Sequence, residues 1–459
     1  MTLELAEPAR RGRPPSRNEI HRAGRLGGVS PDELAERFGT PLYAYDLDVV
    51  ERQAAGLRAV LPAVVDVAYA VKANPALAVV AHLGRLGLGA DVASAGELEL
   101  ARLAGISPDR VVMTGPGKRD DELRAAVQHR IRAVTVESLG ELARLERIAA
   151  QAGQVVPVML RAAVSEHARL ERVRLVGDDG AGKFGMDPGD LLEAAVAAGR
   201  STHLAFLGLH AFGASNVLDA GALLDHVRAT VHVARRLALA AGTTLRLVDA
   251  GGGLGIPYEP HEESLDLRRL GTGLTEITDA WARDPLLAEA RLLLEPGRFL
   301  VGPAGAYVAR VVDRKTVNGA AVIILDGGVH HVLRPALVGQ EHRVRSLTGR
   351  PEGTGPARMQ PVTVAGPLCS GLDVFSQTAV MNVPDVGDLV GILDVGAYGY
   401  TESMPLFLSH PIPAEVAIRA GRAALIRPRV EPASWLAEQV DPNWDAVRTG
   451  TAFAPHAGR

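Results

Sequence analysis

The sequence has little of three features that mark particular classes of protein. It contains one cysteine, Cys369, which excludes an intrachain disulfide and a cysteine-based metal site. Its longest apolar runs, such as residues 321–325, are far too short to span a bilayer. The net charge of −4 argues against a nucleic-acid surface. Arg10, Arg11 and Arg13 are not followed by the apolar core of a secretory signal, so we expect a cytoplasmic protein without nucleic-acid or membrane partners.

The N-terminal half of the chain alternates short apolar stretches with amphipathic ones. Strands are predicted at 41–45, 64–69, 89–92, 111–113, 133–136, 156–161, 205–210, 245–249 and 291–294. Helices are predicted at 31–38, 47–60, 76–86, 95–103, 120–129 and 138–151. Ser30 is the predicted N-cap of the first of these helices, because serine is favoured at that position and a proline and two acids follow it. The alternation predicts a parallel (β/α) barrel.

The pattern changes near residue 300. Strand-like stretches follow at 306–313, 321–325, 359–364 and 389–393, with turn residues between them. Long helical periodicity is absent until residue 432. This part of the chain is therefore predicted to be a β domain with a short helical tail.

Lys72 is the most informative single residue. It follows an apolar, β-branched stretch and precedes Asn74-Pro75, so it lies at the C-terminal end of a predicted buried strand. Reactive residues of a barrel sit at such ends. Desolvation is expected to lower the pKa of Lys72 and make its amine a nucleophile. The alternative is a lysine that extends to the surface for solvation alone.

Two further motifs follow predicted strands. Asp249-Ala-Gly-Gly-Gly-Leu-Gly255 is a glycine-rich turn whose backbone N–H groups can hold a phosphate, although a flexible loop is the ordinary interpretation. Glu295-Pro-Gly-Arg298 places a carboxylate and a guanidinium at the end of the last predicted barrel strand. A charged surface turn is the alternative for this second motif.

Taken in order, these motifs resemble those of the fold-type III pyridoxal-phosphate (PLP) decarboxylases, which include diaminopimelate and ornithine decarboxylases. The resemblance rests on Tyr69-Ala-Val-Lys-Ala-Asn74, Asp91-Val-Ala-Ser-Ala-Gly-Glu97, Gly182-Lys-Phe-Gly-Met186, Gly208-Leu-His-Ala-Phe-Gly-Ala-Ser215, Glu295-Pro-Gly-Arg298 and Gly366-Pro-Leu-Cys-Ser-Gly-Leu-Asp373. It covers roughly residues 35–410. It implies a PLP-binding (β/α)8 TIM barrel with a C-terminal β-barrel or sandwich domain that also takes N-terminal residues.

The domain boundaries expected on this basis are as follows: a flexible segment 1–30, an N-terminal part 31–45 that joins the β domain, the barrel 46–300, the β domain 301–430 and a helical or flexible tail 431–459.

The resemblance also implies roles for individual residues. Lys72 carries PLP, Asp91 lies beside it, and Glu295 partners the pyridine nitrogen, which makes the ring an electron sink. The remaining cofactor contacts are implied for Arg161 at the phenolic oxygen, Phe212 stacked on the ring where histidine is usual, and Ser215, Gly252, Gly253, Arg298 and Tyr398 at the phosphate. The role of His210 is left open, with structural and functional readings equally weighted.

The cysteine loop is implied to act across a homodimer interface. Cys369 of one subunit protonates the carbanion that remains after CO2 departs in the other, and Asp373 pairs with Lys183. The implied substrate contacts are Arg298, Arg334, Ser370 and Tyr398.

Departures from the family pattern concern the substrate. Ser370 stands where ornithine-type enzymes have an acid, and Val338 stands where a tyrosine usually follows the Arg334 loop. Neither clamp for a charged distal group is complete. The pattern looks more like that of biosynthetic-cluster members, some of which act on an amino acid tethered to a carrier protein. We therefore predict an amino-acid α-decarboxylase, acting on a free or tethered amino acid.

Four alternatives stay open. The first alternative is a diaminopimelate decarboxylase of lysine biosynthesis, and the second is a non-catalytic relative. The third is a fold-type III racemase, and the fourth is a single-domain PLP carrier. Glu295 and the Cys369 loop argue against a racemase, and the β domain argues against a carrier.

Overall fold

The structure is a computed structural model that describes residues 24–163, 182–347 and 359–442. It begins with helix α1 (Pro31–Phe38) and strand β1 (Leu42–Asp46). The Ser30 hydroxyl accepts a hydrogen bond from the Glu33 amide at 3.1 Å, which is the predicted cap. Leu26 and Val29 are buried, so ordered packing begins before residue 30.

Eight parallel strands close into a barrel, and each hydrogen-bonds the next. They are β2 (Val65–Ala70), β3 (Gly89–Val92), β4 (Val111–Met113), β5 (Ala133–Val136), β6 (Val156–Arg161), β7 (Leu204–His210), β8 (Leu247–Asp249) and β9 (Arg291–Leu294). The last strand pairs with the first, with Val65 opposite Leu292. The predicted α/β barrel is confirmed.

Helices surround the barrel and connect its strands. They are α2 (Leu47–Arg58), α3 (Leu77–Arg85), α4 (Ala95–Leu103), α5 (Asp120–His129), α6 (Leu139–Ala152), α7 (Pro188–Arg200), α8 (Ala220–Ala241), α9 (Leu267–Trp281) and the short α10 (Arg298–Val301). At the start of α4, the Ser94 hydroxyl accepts from the Glu97 amide and the Glu97 carboxylate accepts from the Ala93 amide, at 3.2 and 2.7 Å. These two hydrogen bonds cap the helix at Ser94, so that α4 begins four residues after Asp91.

The remaining strands form a separate sheet. They are β10 (Gly305–Val317), β11 (Ala320–Leu325), β12 (Val344–Ser346), β13 (Gln360–Ala365), β14 (Val374–Met381), β15 (Leu389–Leu393), β16 (Ala414–Arg419) and β17 (Arg422–Arg427), with short helices α11 (Arg334–Val338) and α12 (Pro432–Leu436). β1 lies between β10 and β16, so N-terminal residues do complete this domain. The strands β12, β14, β16 and β17 were not predicted.

Within the described parts of the chain, the buried side chains form three cores. The barrel interior is filled by Ala68, Val112, Ala133, Met159, Leu247 and Leu293. A larger cluster joins the barrel to its helices and reaches into the β domain, where Tyr43 and Tyr307 are fully buried. A smaller cluster lies under β1 and β16. The barrel is thus a packed support, and its reactive groups are confined to its ends.

Among the described residues, no helix is long and apolar enough to cross a membrane.

Candidate active site

The carboxyl ends of the barrel strands bring the predicted residues together. The predicted residues that lie within two positions of the end of a barrel strand here are Lys72, Asp91, Arg161, His210, Asp249 and Glu295. β2, which precedes Lys72, pairs with β3 on one side and β9 on the other. Lys72 therefore lies between Asp91 and Glu295.

Lys72 lies in a short 3-10 turn, Val71–Ala73, immediately after β2. Its Nζ is 3.8 Å from the Asp91 Oδ2, and its side chain is half exposed at 50%. The Nζ also lies 5.9 Å from the centre of the Phe212 ring. Burial opposes the charge, but Asp91, Tyr398 and Glu295 outweigh it, so the pKa of Lys72 is raised. The prediction of a lowered pKa was wrong, because it counted desolvation without the neighbouring acids.

Asp91 is buried and is held in place by the Thr114 hydroxyl, which donates to its Oδ1 at 2.7 Å. Burial, reinforced by the charge of Glu295, raises the pKa of Asp91 to about 7. Near neutral pH this carboxyl is therefore poised between its two protonation states. A group with that property next to a lysine is typical of a catalytic site.

Glu295, His210 and Asp249 form a buried cluster whose ligand atoms all lie within 4.8 Å of one another. The His210 Nε2 is 3.3 Å from the Glu295 Oε2. Burial opposes ionisation of Glu295, but His210 holds its pKa below the usual value. Burial and the charge of Glu295 raise the pKa of Asp249 well above its usual value. Glu295 is thus the anionic carboxylate of the pair, and the Asp249 carboxyl is hydrogen-bonded to it.

The glycine turn after β8 has no room for side chains. A Cβ at Gly252 would lie 2.4 Å from the Glu295 carbonyl oxygen, and one at Gly253 would lie 2.6 Å from the Ala214 carbonyl oxygen. Gly253 also has a φ of 95°, which favours glycine. Half-buried Ser215 follows β7 in the neighbouring loop. Backbone N–H groups and one hydroxyl therefore lie where the sequence predicts a phosphate.

Two arginines flank the ring of Tyr398. The Arg298 and Arg334 guanidinium carbons lie 4.7 and 5.2 Å from its centre. The Tyr398 amide donates to the Ala73 carbonyl at 2.8 Å, which ties this loop to the residue after Lys72. Arg298 donates to the Tyr258 hydroxyl at 2.8 Å. Both arginines also approach the Gln340 Oε1, at 3.4 and 3.0 Å.

Arg161, predicted at the phenolic oxygen, forms a buried ion pair with Glu137 at 2.8 Å. Glu137 follows β5 and accepts a further hydrogen bond from the Gly185 amide at 3.1 Å. The Phe184 ring covers the Arg161 guanidinium at 4.5 Å. Glu137 was missed, although its place after a predicted strand marked it. Lys183 is exposed beside Phe184.

The cysteine loop lies in the β domain between β13 and β14. Cys369 is exposed, and the Ser370 hydroxyl accepts from the Leu372 amide at 3.3 Å. Asp373 is buried, and its two carboxylate oxygens accept from the Val329 and Leu368 amides, both at 2.7 Å. The carboxylate of Asp373 thus shapes its own loop. Its pairing with Lys183 of another subunit stays a prediction.

The barrel mouth fits PLP. Glu295 presents a buried carboxylate, and the glycine turn presents backbone that carries no side chains and is packed too closely for any Cβ. Lys72 is half exposed at the same mouth, and Phe212 offers an apolar ring beside it. A carboxylate for a ring nitrogen, an amine for an aldehyde and backbone donors for a phosphate are all present.

Comparison with known proteins gives consistent results. The model of the pyridoxal-dependent decarboxylase pyridoxal binding domain matches residues 47–302. An L-glutamyl-[BtrI acyl-carrier protein] decarboxylase of Niallia circulans is 33% identical over 86% of the chain and 92% of its own length. A diaminopimelate decarboxylase of Methanothermobacter thermautotrophicus is 33% identical over 90% of the chain and 94% of its own length.

Solved structures agree with the fold. Diaminopimelate decarboxylase from M. jannaschii in co-complex with L-lysine superposes with a TM-score of 0.81 at 27% identity, covering 91% of this chain and 99% of that one. Diaminopimelate decarboxylase from Helicobacter pylori complexed with L-lysine superposes with a TM-score of 0.78 at 29% identity, covering 89% of this chain and 98% of that one.

Proposed function

The chain belongs to the pyridoxal-dependent decarboxylases, and we propose that it removes the α-carboxyl group of an amino acid whose distal carboxyl is a thioester on a carrier protein. The chain is thus a PLP-dependent carboxy-lyase with the fold of its relatives. An L-glutamyl group is the proposed example, since that is the substrate named for one relative.

The observation that carries the substrate proposal is the state of Arg334. This arginine is predicted to grip a distal carboxylate, but its Nη1 is already paired with the Glu402 Oε2 at 2.7 Å. Ser370, at the position where an acid would hold a distal amine, is bonded to the backbone of its own loop. The two predicted contacts to a charged distal group, Arg334 and Ser370, are thus both already bonded, which suits an uncharged acyl group.

The residues at the barrel mouth are assigned roles on the same basis. Bound PLP supplies an electron sink for the electron pair left when CO2 departs. Lys72 holds the cofactor, and Asp91 keeps its amine positioned. Ionised Glu295, supported by His210, favours a proton on the pyridine nitrogen. Arg298 has a buried Nε without an acceptor among the described residues and is the proposed site for an anionic group.

We assign Cys369 as the proton donor of a second subunit. It is exposed on this chain, so its thiol is available to another copy. The same domain exposes several large apolar side chains, namely Leu372, Leu337, Met404, Leu406 and Phe407. Such a set is typical of a surface that another protein covers. The proposed assembly is a homodimer in which each thiol serves the partner's barrel.

A diaminopimelate decarboxylase is the second candidate, favoured by the breadth of the match to M. thermautotrophicus. The discriminating experiment measures CO2 release by the PLP-loaded protein. The substrates are meso-diaminopimelate, L-ornithine, free L-glutamate and L-glutamate joined through its side-chain carboxyl to a carrier protein. Turnover of the tethered substrate in preference to the free ones is expected. Faster turnover of diaminopimelate would refute the proposal, and silence on all four would favour a non-catalytic relative.

A further inference from the structure

Around Tyr398 the numbers of positive and negative groups differ. Two guanidinium groups, those of Arg298 and Arg334, lie against the ring. Among the described residues, the carboxylate of Glu402 forms an ion pair with Arg334, while the side-chain hydrogen-bond partners of Arg298 are the uncharged Tyr258 and Gln340. One arginine is therefore neutralised and the other keeps its charge.

Both arginines are buried, so the ion pair and not the depth of burial distinguishes Arg334 from Arg298. The Arg334 side chain is 5% exposed and that of Glu402 is 33% exposed. The Arg334 Nε is also occupied, because it donates to Gln340 at 3.0 Å. An incoming carboxylate would meet a guanidinium already bonded on two of its nitrogens and, beside it, a carboxylate of its own sign. Like charges at such distances repel, most strongly where water is scarce.

We propose that Glu402 is a specificity-determining residue, which neutralises Arg334 so that the distal end of the site accepts an uncharged acyl group and rejects a free carboxylate. This inference rests on the proposed function and names the residue that sets its substrate class. Glu402 does not act on the reacting atoms. It acts through Arg334, by deciding whether that guanidinium is free to bind a distal carboxylate.

The experiment measures binding of glutarate, a dicarboxylate that does not react, to the PLP-loaded protein by calorimetry. In Glu402→Gln the amide oxygen still accepts from Arg334, but the negative charge is gone. Glutarate affinity is expected to rise by roughly tenfold, the range for one charge-assisted hydrogen bond. Unchanged affinity would overturn the inference. The matched control is Glu289→Gln, which removes a glutamate from an exposed pair with Arg246 and is expected to leave glutarate binding as it is.

A second variant keeps the inference testable if Glu402→Gln fails to fold, which thermal unfolding would reveal. Arg334→Gln combined with Glu402→Gln replaces a neutral pair by a neutral pair, so glutarate affinity is expected to match that of the wild type. A clear loss in this double variant would mean that the intact pair itself binds the carboxylate, and would contradict the inference.

Kinetics separate this inference from the proposed function. In Glu402→Gln, the KM for free L-glutamate is expected to fall relative to the KM for the tethered substrate. If the wild type ignores the tethered substrate but Glu402→Gln gains glutarate affinity, the proposed function fails and the role of Glu402 stands. If the wild type prefers the tethered substrate and Glu402→Gln gains no affinity, only the role of Glu402 fails.

Discussion

Replacing Asp91 by asparagine is expected to stabilise the PLP-free protein at neutral and alkaline pH. The pKa of Asp91 is raised from 3.8 to about 7 in the folded chain, first by burial and then by Glu295. Between these values the folded state keeps a proton that the unfolded state releases. The stability from this group is therefore fully present below its unfolded pKa and is lost as the pH rises to about 7.

The size of the change in stability follows from the shift in the pKa of Asp91. A difference of about 3 pH units at ~1.4 kcal/mol per unit gives at most about 4 kcal/mol. Asparagine does not titrate, so the variant avoids this loss. It also keeps an oxygen for the Thr114 hydroxyl, which now donates to Asp91 at 2.7 Å. The attraction to Lys72 is already contained in this difference, because it lowers the pKa of Asp91 against burial and the charge of Glu295.

The assay is thermal unfolding of both PLP-free proteins at about pH 4 and about pH 8, followed by circular dichroism. The Tm of Asp91→Asn relative to the wild type is expected to increase by several degrees between these two values of pH. Asp225→Asn, at an exposed pair with Arg228, is the control and is expected to show no such pH dependence. An advantage of Asp91→Asn that is constant or shrinks as the pH rises would refute the reasoning. The same variant is expected to turn over substrate more slowly, because Lys72 loses its partner.

Two further substitutions test other parts of the site. Gly252→Ala is expected to weaken PLP binding by more than tenfold, since its Cβ would lie 2.4 Å from the Glu295 carbonyl oxygen and the turn has to open. Gly189→Ala, where a Cβ meets nothing within 4 Å, is the control. Equal PLP affinity of the two variants would contradict the proposal that the glycine turn binds the phosphate. Cys369→Ala is expected to lower kcat by about 100-fold or more, with an unchanged Tm, because the thiol is exposed and its proposed work is proton transfer. A wild-type rate in this variant would exclude the assigned proton donor.

The barrel and the residues at its mouth were predictable because both depend on local pattern. Buried parallel strands are short apolar runs, and the residue that follows each run faces the mouth whatever the rest of the chain does. This rule places Lys72 and Glu295 on neighbouring strands, as the pairing of β2 with β9 shows. The same rule points to Glu137, which follows β5 and was not predicted because none of the motifs contains it.

The β domain was harder to predict. β14 (Val374–Met381) has no regular alternation of buried and exposed positions, and β16 (Ala414–Arg419) carries a buried acid. That acid, Glu415, pairs with Arg427 on β17 and accepts from the Tyr45 hydroxyl on β1. Such strands owe their place to partners distant in sequence, which a local pattern does not reveal.

The neutralisation of one charged residue by another that is distant in the chain could also not be predicted from the sequence. Arg334 and Glu402 are 68 positions apart, and both lie in the connections between strands of the β domain. The pKa of Lys72 was misjudged for the same reason, since it depends on Asp91, Tyr398 and Glu295 together. The sequence indicates which groups reach the site, but their net charge depends on the fold.

The most direct test of the account is to find where PLP attaches. The chain has four lysines, which makes the result decisive: Lys72, Lys118, Lys183 and Lys315. Borohydride reduction of the PLP-loaded protein fixes the bond between the aldehyde and a lysine amine, and peptide mass mapping then locates it. The account predicts the added mass on the peptide that contains Lys72, and none on Lys118, whose Nζ is buried and pairs with Glu141 at 2.8 Å. Attachment at any other lysine, or no attachment, would contradict it.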